Sequence, residues 1–175
     1  MRHLILAAAL LALPAAANAA PQLQQPEREA RAYLSPCRFH DSGMQRLCRR
    51  NQANFVEQYV RALGGDYAAQ GSTFTSFSVV DRCPHCDKLG YVGMPADQVH
   101  ACAWAMVLVI ESPSSDPNSA FAHDNARAQC APLTTGQKNA AWSAAIGYLA
   151  RIHHHAVAIP ADWNPSVSEL LSAAR

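Results

Sequence analysis

The sequence predicts an all-α fold, a small antiparallel helical bundle stapled by disulfides. Three observations lead there. Apolar residues recur at three- and four-residue intervals along several stretches, and helix-capping residues stand in front of those stretches. Six cysteines also occur in a chain whose first residues read as an export signal. With 175 residues, 50% of them hydrophobic and 15% charged, a single domain can bury a core of useful size.

Residues 1–19 carry the export signal. Arg2 supplies a basic start, Leu4 to Leu13 are wholly aliphatic, and Ala17-Asn18-Ala19 is a small-residue cleavage motif, so cleavage is expected before Ala20. The apolar run is shorter than the roughly 20 residues that span a bilayer. Ala101 to Ile110 is also too short and stops at Glu111, so no stable membrane insertion is expected. Removing Arg2 takes Lys+Arg from 14 to 13 against 13 Asp+Glu, which leaves the processed chain formally neutral. A neutral surface lacks the basic excess that drives nucleic-acid binding. Arg46, Arg49 and Arg50, the one tight basic cluster, read as the solvated face of a helix.

Residues 20–26 read as a polar, disordered leader, and a helical domain over 27–155 follows, beginning with a short helix to Leu34. Asp41 or Ser42 caps a longer helix in which Phe55, Val56, Tyr59, Val60 and Leu63 form one face, closed by Gly64-Gly65. From Asp66 to Val80 the pattern is ambiguous: Tyr67 to Gln70 looks helical, while the β-branched and aromatic run Thr73 to Val80 allows a strand. Residues 81–96 read as a loop. A helix from about Ala96 to Ile110 is apolar nearly all round and belongs at the centre. Asp116-Pro117 opens a helix to about Ala131. Thr134 and Gln137 form a capping box for the last long helix, whose face comprises Ala141, Ala144, Ala145, Tyr148, Leu149 and Ile152 before it ends at His153 to His155. Residues 156–175 form a tail, with Asn164-Pro165 capping a short helix.

Gly93-Met94-Pro95-Ala96-Asp97, followed by Ala101 and Trp104, resembles the signature of the Sel-like helical repeat, a relative of the tetratricopeptide repeat. Gly65 to Gln70 resembles the start of such a unit, and Leu133 to Gln137 resembles the helix start that often follows the last repeat in exported bacterial members. The match spans roughly residues 53 to 152 and shows one degenerate helix-loop-helix unit. It departs from the family at Thr73 to Val80 and in its longer loop. Because one unit cannot bury its own apolar face, the flanking helices must cap it, which favours a closed bundle over a solenoid.

Six cysteines allow many pairings, which spacing and helix placement only rank. Cys37 and Cys48 suit a bridge from a turn into the helix behind it. Cys102 lies on the central helix and Cys130 near the end of the next, and an antiparallel pair of helices brings them side by side. The exported relatives of the resembling family often carry cysteines at both places. Cys83 and Cys86 then form a local bridge across the loop. Their motif, Cys83-Pro84-His85-Cys86, is also similar to the active-site tetrad of periplasmic thiol oxidoreductases of the thioredoxin-like Dsb type. In that alternative Cys83 is the nucleophile, activated at a helix N-terminus, and Cys86 resolves the mixed disulfide. Gly90 and Gly93 interrupt the helix that fold needs, and Val157 to Pro160, the one plausible cis-proline loop, is followed by no strand pair. Cys83, Cys86, His100 and Cys102 have zinc-like composition, but a Cys102 to Cys130 bridge removes one ligand, and no metal or other cofactor is expected. His153 to His155 could bind metal, although such a run more simply ends a helix.

The helical-repeat resemblance implies a non-enzymatic protein of the periplasm or exterior that grips an envelope protein or peptide. Gly93, Asp97, Ala101 and Trp104 are its motif residues. Thiol-disulfide oxidoreduction at Cys83 and Cys86 is the alternative.

Overall fold

The computed structural model describes residues 21–78, 92–112 and 119–155. The expected signal peptide, the Cys83 to Cys86 motif, the Asp116-Pro117 cap and the tail 156–175 lie outside the described residues. The described chain is built from six helices: α1 (Pro21–Ala32), α2 (Ser42–Leu63), α3 (Tyr67–Ser78), α4 (Gln98–Glu111), α5 (Ser119–Cys130) and α6 (Thr135–Ile152). α4 packs against α3, α5 and α6, while α2 packs against α1, α3 and α6. No strand occurs among the described residues. None of their helices is long and apolar enough to cross a membrane.

α4 occupies the centre because its sequence leaves it no polar face. Every residue from Ala101 to Val109 is buried, and the alanines at 101, 103 and 105 let neighbouring backbones approach. Asp97 starts the helix, its Oδ1 accepting from the backbone N–H of Val99 at 2.9 Å and of His100 at 3.1 Å. On α2, Asp41 Oδ1 accepts from Met44 N–H at 2.7 Å, and the residues turned inward include Phe55, Val56, Tyr59 and Leu63. Gly65 then takes a φ of +88°, which turns the chain into α3. Thr134 and Gln137 form the expected capping box of α6, which buries Ala141, Ala145, Tyr148, Leu149 and Ile152. Arg46, Arg49 and Arg50 are exposed.

Two elements differ from the sequence reading. Residues 21–26, expected as a disordered leader, are the first turns of α1. Pro21 stands at the first helical position, where no N–H is required, and the Gln, Glu, Arg, Leu and Ala residues that follow are good helix formers. The run from Thr73 is helical as far as Ser78. Ala69, Gln70, Thr73, Phe74 and Phe77 are buried together at helical spacing. The hydroxyls of Ser72, Thr75 and Ser76 bond back to the carbonyls of Ala68, Gly71 and Ser72 at 2.9 to 3.1 Å. Packing and these local bonds override the strand propensity of the same residues.

Candidate functional site

Four helices bring polar side-chain tips together beside the core. α1 supplies Glu29, with Tyr33 one turn further on; α2 supplies Tyr59; α4 supplies His100 and Trp104, also one turn apart; α6 supplies Tyr148 and Arg151. Tyr33 stands just past the end of α1, while His100 and Trp104, and Tyr148 and Arg151, each share one face of their helix because residues three or four apart are stacked.

The aromatic rings form the body of the cluster. Trp104 stacks on Tyr148 at 4.5 Å between centroids with 16° between planes, and Tyr59 meets Trp104 edge-on at 5.9 Å. The His100 imidazole packs against Tyr33 at 4.7 Å and Phe77 at 5.3 Å, whose own rings meet edge-on at 5.1 Å. Hydrogen bonds join the tips. His100 Nδ1 and the Tyr148 hydroxyl are 2.7 Å apart, and the hydroxyls of Tyr33 and Tyr148 are 3.4 Å apart. The Tyr59 hydroxyl donates to Glu29 Oε1, while Arg151 Nη1 donates to Glu29 Oε2 at 2.5 Å. Both carboxylate oxygens of Glu29 are therefore occupied, one by α2 and the other by α6.

Burial sets the protonation states. It holds the His100 imidazole below its usual range, against the opposing pull of Asp97 and Glu29. Burial also pushes the Tyr59 phenol up, reinforced by Tyr148 and by the bond to Glu29. Tyr148 rises for the same first reason and through its bond to Tyr33. The cluster is thus a neutral imidazole and two protonated phenols beside one Glu–Arg ion pair. Its evident effect is to fasten α1 to α2 and α6.

The residues singled out from the sequence fall into three groups. Cys37 and Cys48 are bridged, with Cα atoms 5.9 Å apart, and Cys102 and Cys130 are bridged at 5.0 Å. The first pair ties the turn after α1 to α2, and the second ties α4 to α5. Cys83 and Cys86 lie outside the described residues. Of the four zinc-like residues, Cys102 is thus held in a disulfide and His100 is bonded to Tyr148.

The motif residues Gly93, Asp97, Ala101 and Trp104 line the entry to α4. Gly93 has a φ of +81°, and a Cβ there would collide with Cys48 Sγ. Asp97 is the cap, and Ala101 and Trp104 are wholly buried. The Trp104 Nε1–H has no hydrogen-bond partner among the described residues. His153 Nε2 donates to Glu111 Oε1 at 2.7 Å, which joins the C-terminal ends of α6 and α4. His155 Nδ1 lies 2.6 Å from the His153 carbonyl. Glu29, Tyr33 and Arg151 were not marked by the sequence. Their signal was slight, an acid and an aromatic four residues apart on a short helix.

No family model, curated protein or solved structure matches the chain.

Proposed function

We propose that the processed chain is an exported, non-enzymatic helical protein of the periplasm that binds an envelope protein or peptide. Phe121 on α5 carries this reading. Its side chain is large and apolar yet 68% exposed, and α5 is cross-linked to the central helix through Cys102 and Cys130. Covering a phenylalanine is worth about 1.5–3 kcal/mol, and a helix already held rigid loses little freedom when it binds. Asp124 and Arg127, paired at 3.4 Å and well exposed, lie on the same helix and suit the polar rim of a contact. The neutral charge of the processed chain favours a protein partner over nucleic acid. The Sel-like resemblance at Gly93, Asp97, Ala101 and Trp104 points the same way, as do an export signal cleaved near Ala19 and six cysteines in one small chain.

Affinity capture from envelope extracts tests the proposal, using the processed chain and its Phe121→Glu variant. A partner retained by the first and lost by the second, with unchanged circular dichroism, is the expected result. Capture by neither contradicts the proposal. Turnover in an insulin-reduction assay, abolished by Cys83→Ser, would replace it with thiol-disulfide exchange.

A further inference from the structure

The chain between α1 and α2 is clamped in an extended form. Residues 34–39 run without a turn or bend, and Asp41 behind them is also extended, at φ −74° and ψ 126°. One face of α2 holds them through Gln45, Cys48 and Gln52, which stand at helical spacing. Gln52 Nε2 donates to the Ser35 carbonyl at 2.6 Å, and Cys48 bridges Cys37. The Gln45 amide grips the backbone on both sides of Arg38. Its Nε2 donates to the Cys37 carbonyl at 2.9 Å, and its Oε1 accepts from the Phe39 N–H at 3.0 Å. The spans agree, since Gln45 to Gln52 rises about 10.5 Å along the helix and Ser35 to Arg38 covers about 10 Å when extended.

Extended backbone turns alternate residues to opposite sides. Ser35, Cys37 and Phe39 direct their bonded groups at α2, so the N–H and carbonyl of Arg38 and the carbonyl of Pro36 face away. Among the described residues nothing hydrogen-bonds these three groups, and Pro36 and Arg38 are exposed.

The charge around this open edge is one-sided. Arg38, Arg46, Arg49 and Arg50 are exposed, and none forms an ion pair among the described residues. Arg49 stands one turn after Gln45, beside the clamped segment. The acid on this stretch, Asp41, is engaged as the cap of α2. Phe39 adds an apolar ring that is 41% exposed.

We propose that Ser35–Phe39 is a preformed docking edge, to which an extended, acidic segment of a protein partner adds itself by pairing backbone to backbone at Arg38.

Strand addition to an open edge takes its affinity from backbone hydrogen bonds and its specificity from flanking side chains. Here Arg38 and Arg49 favour carboxylates, and Phe39 offers apolar cover. The bridge and the two glutamines have already ordered the edge, so binding orders only the partner. A nucleic acid or a lipid surface would meet the arginines but carries no row of amides to answer Arg38. The edge stands before α2, apart from Phe121 on α5, and is a second contact beyond the one proposed there.

Proton–nitrogen NMR of the processed, disulfide-intact chain, titrated with the peptide Glu-Val-Glu-Val-Glu-Val, tests this. Saturable shifts are expected at the Cys37, Arg38 and Phe39 amides, with slower exchange of the Arg38 N–H and weaker binding as salt rises. Arg38→Ala loses the charge and keeps the N–H. Arg38→Pro loses both and should bind about two- to tenfold more weakly than Arg38→Ala, the effect of one hydrogen bond. N-methylation of the valines or of the glutamates should abolish binding in one case and spare it in the other, because only one edge of the peptide pairs. Phe121→Glu should bind as the unaltered chain does. The docking edge is overturned by no saturable change at the Arg38 amide, by equal binding of Lys-Val-Lys-Val-Lys-Val, or by indifference to both methylation patterns. Equal binding by Arg38→Pro and Arg38→Ala overturns it too, as do phosphatidylglycerol vesicles that shift the Arg38 amide where the peptide does not. None of these results bears on capture through Phe121.

Discussion

α4 and α1 show two ways of holding a helix. α4 is buried from Ala101 to Val109, and its neighbours α3, α5 and α6 cover it. α1 buries one described side chain and is held by an ion pair, a phenol-carboxylate bond and the edge of Tyr33. The first attachment is mainly apolar, with polar links to α6 only at its ends, so α4 is held by the core itself. The second is polar and partly solvated, so it can open by itself. One bundle thus combines a rigid centre with an adjustable flank.

The comparison is broken most severely at its rigid side. Trp104→Ala should cost about 3–5 kcal/mol, because it empties the site around which Tyr59 and Tyr148 pack. A denaturant titration should show the whole domain losing stability in one transition. Replacing Cys102 and Cys130 together by alanine should cost roughly 3.5 kcal/mol, from the loop entropy of a 28-residue separation. The same change at Cys37 and Cys48, 11 residues apart, should cost slightly less than 3 kcal/mol. Melting of the two paired variants side by side checks that order.

The adjustable side responds less. Glu29→Ala leaves the Tyr59 hydroxyl and Arg151 without their shared acceptor and should cost about 1–2 kcal/mol. Since Glu29 and Arg151 are each about a third exposed, solvent already screens much of their charge, and the loss should appear mainly as faster exchange in α1. The smallest effect is a gain. Gly147 is exposed within α6 and a Cβ there would meet nothing within 4 Å, so Gly147→Ala should stabilise the domain by about 0.5–1 kcal/mol without touching α1 exchange.

The sequence showed the rigid side far better than the adjustable one. Asp41, the Thr134–Gln137 box and the apolar run of α4 are local signals, and local signals set where those helices begin and what they bury. α3 was hidden because Thr73, Thr75 and Phe77 favour strands when considered singly. Their helical character comes from hydroxyls bonded to the preceding turn and from the common face of Ala69, Thr73 and Phe77. The start of α1 was hidden by two prolines and a lack of apolar periodicity. The polar cluster was hidden for a different reason. Glu29, Tyr59, His100 and Arg151 come from four helices, and only tertiary packing makes them neighbours. Tyr59 and Tyr148 could be placed in the core from their spacing, but spacing cannot show what their hydroxyls bond.

Residue-resolved hydrogen exchange at a single neutral pH tests most directly whether these two attachments differ. The account predicts that α4 amides exchange only through global unfolding, whereas α1 amides open at a clearly lower free energy and with little dependence on denaturant. Equal protection of α1 and α4, lost together in one cooperative transition, would contradict it.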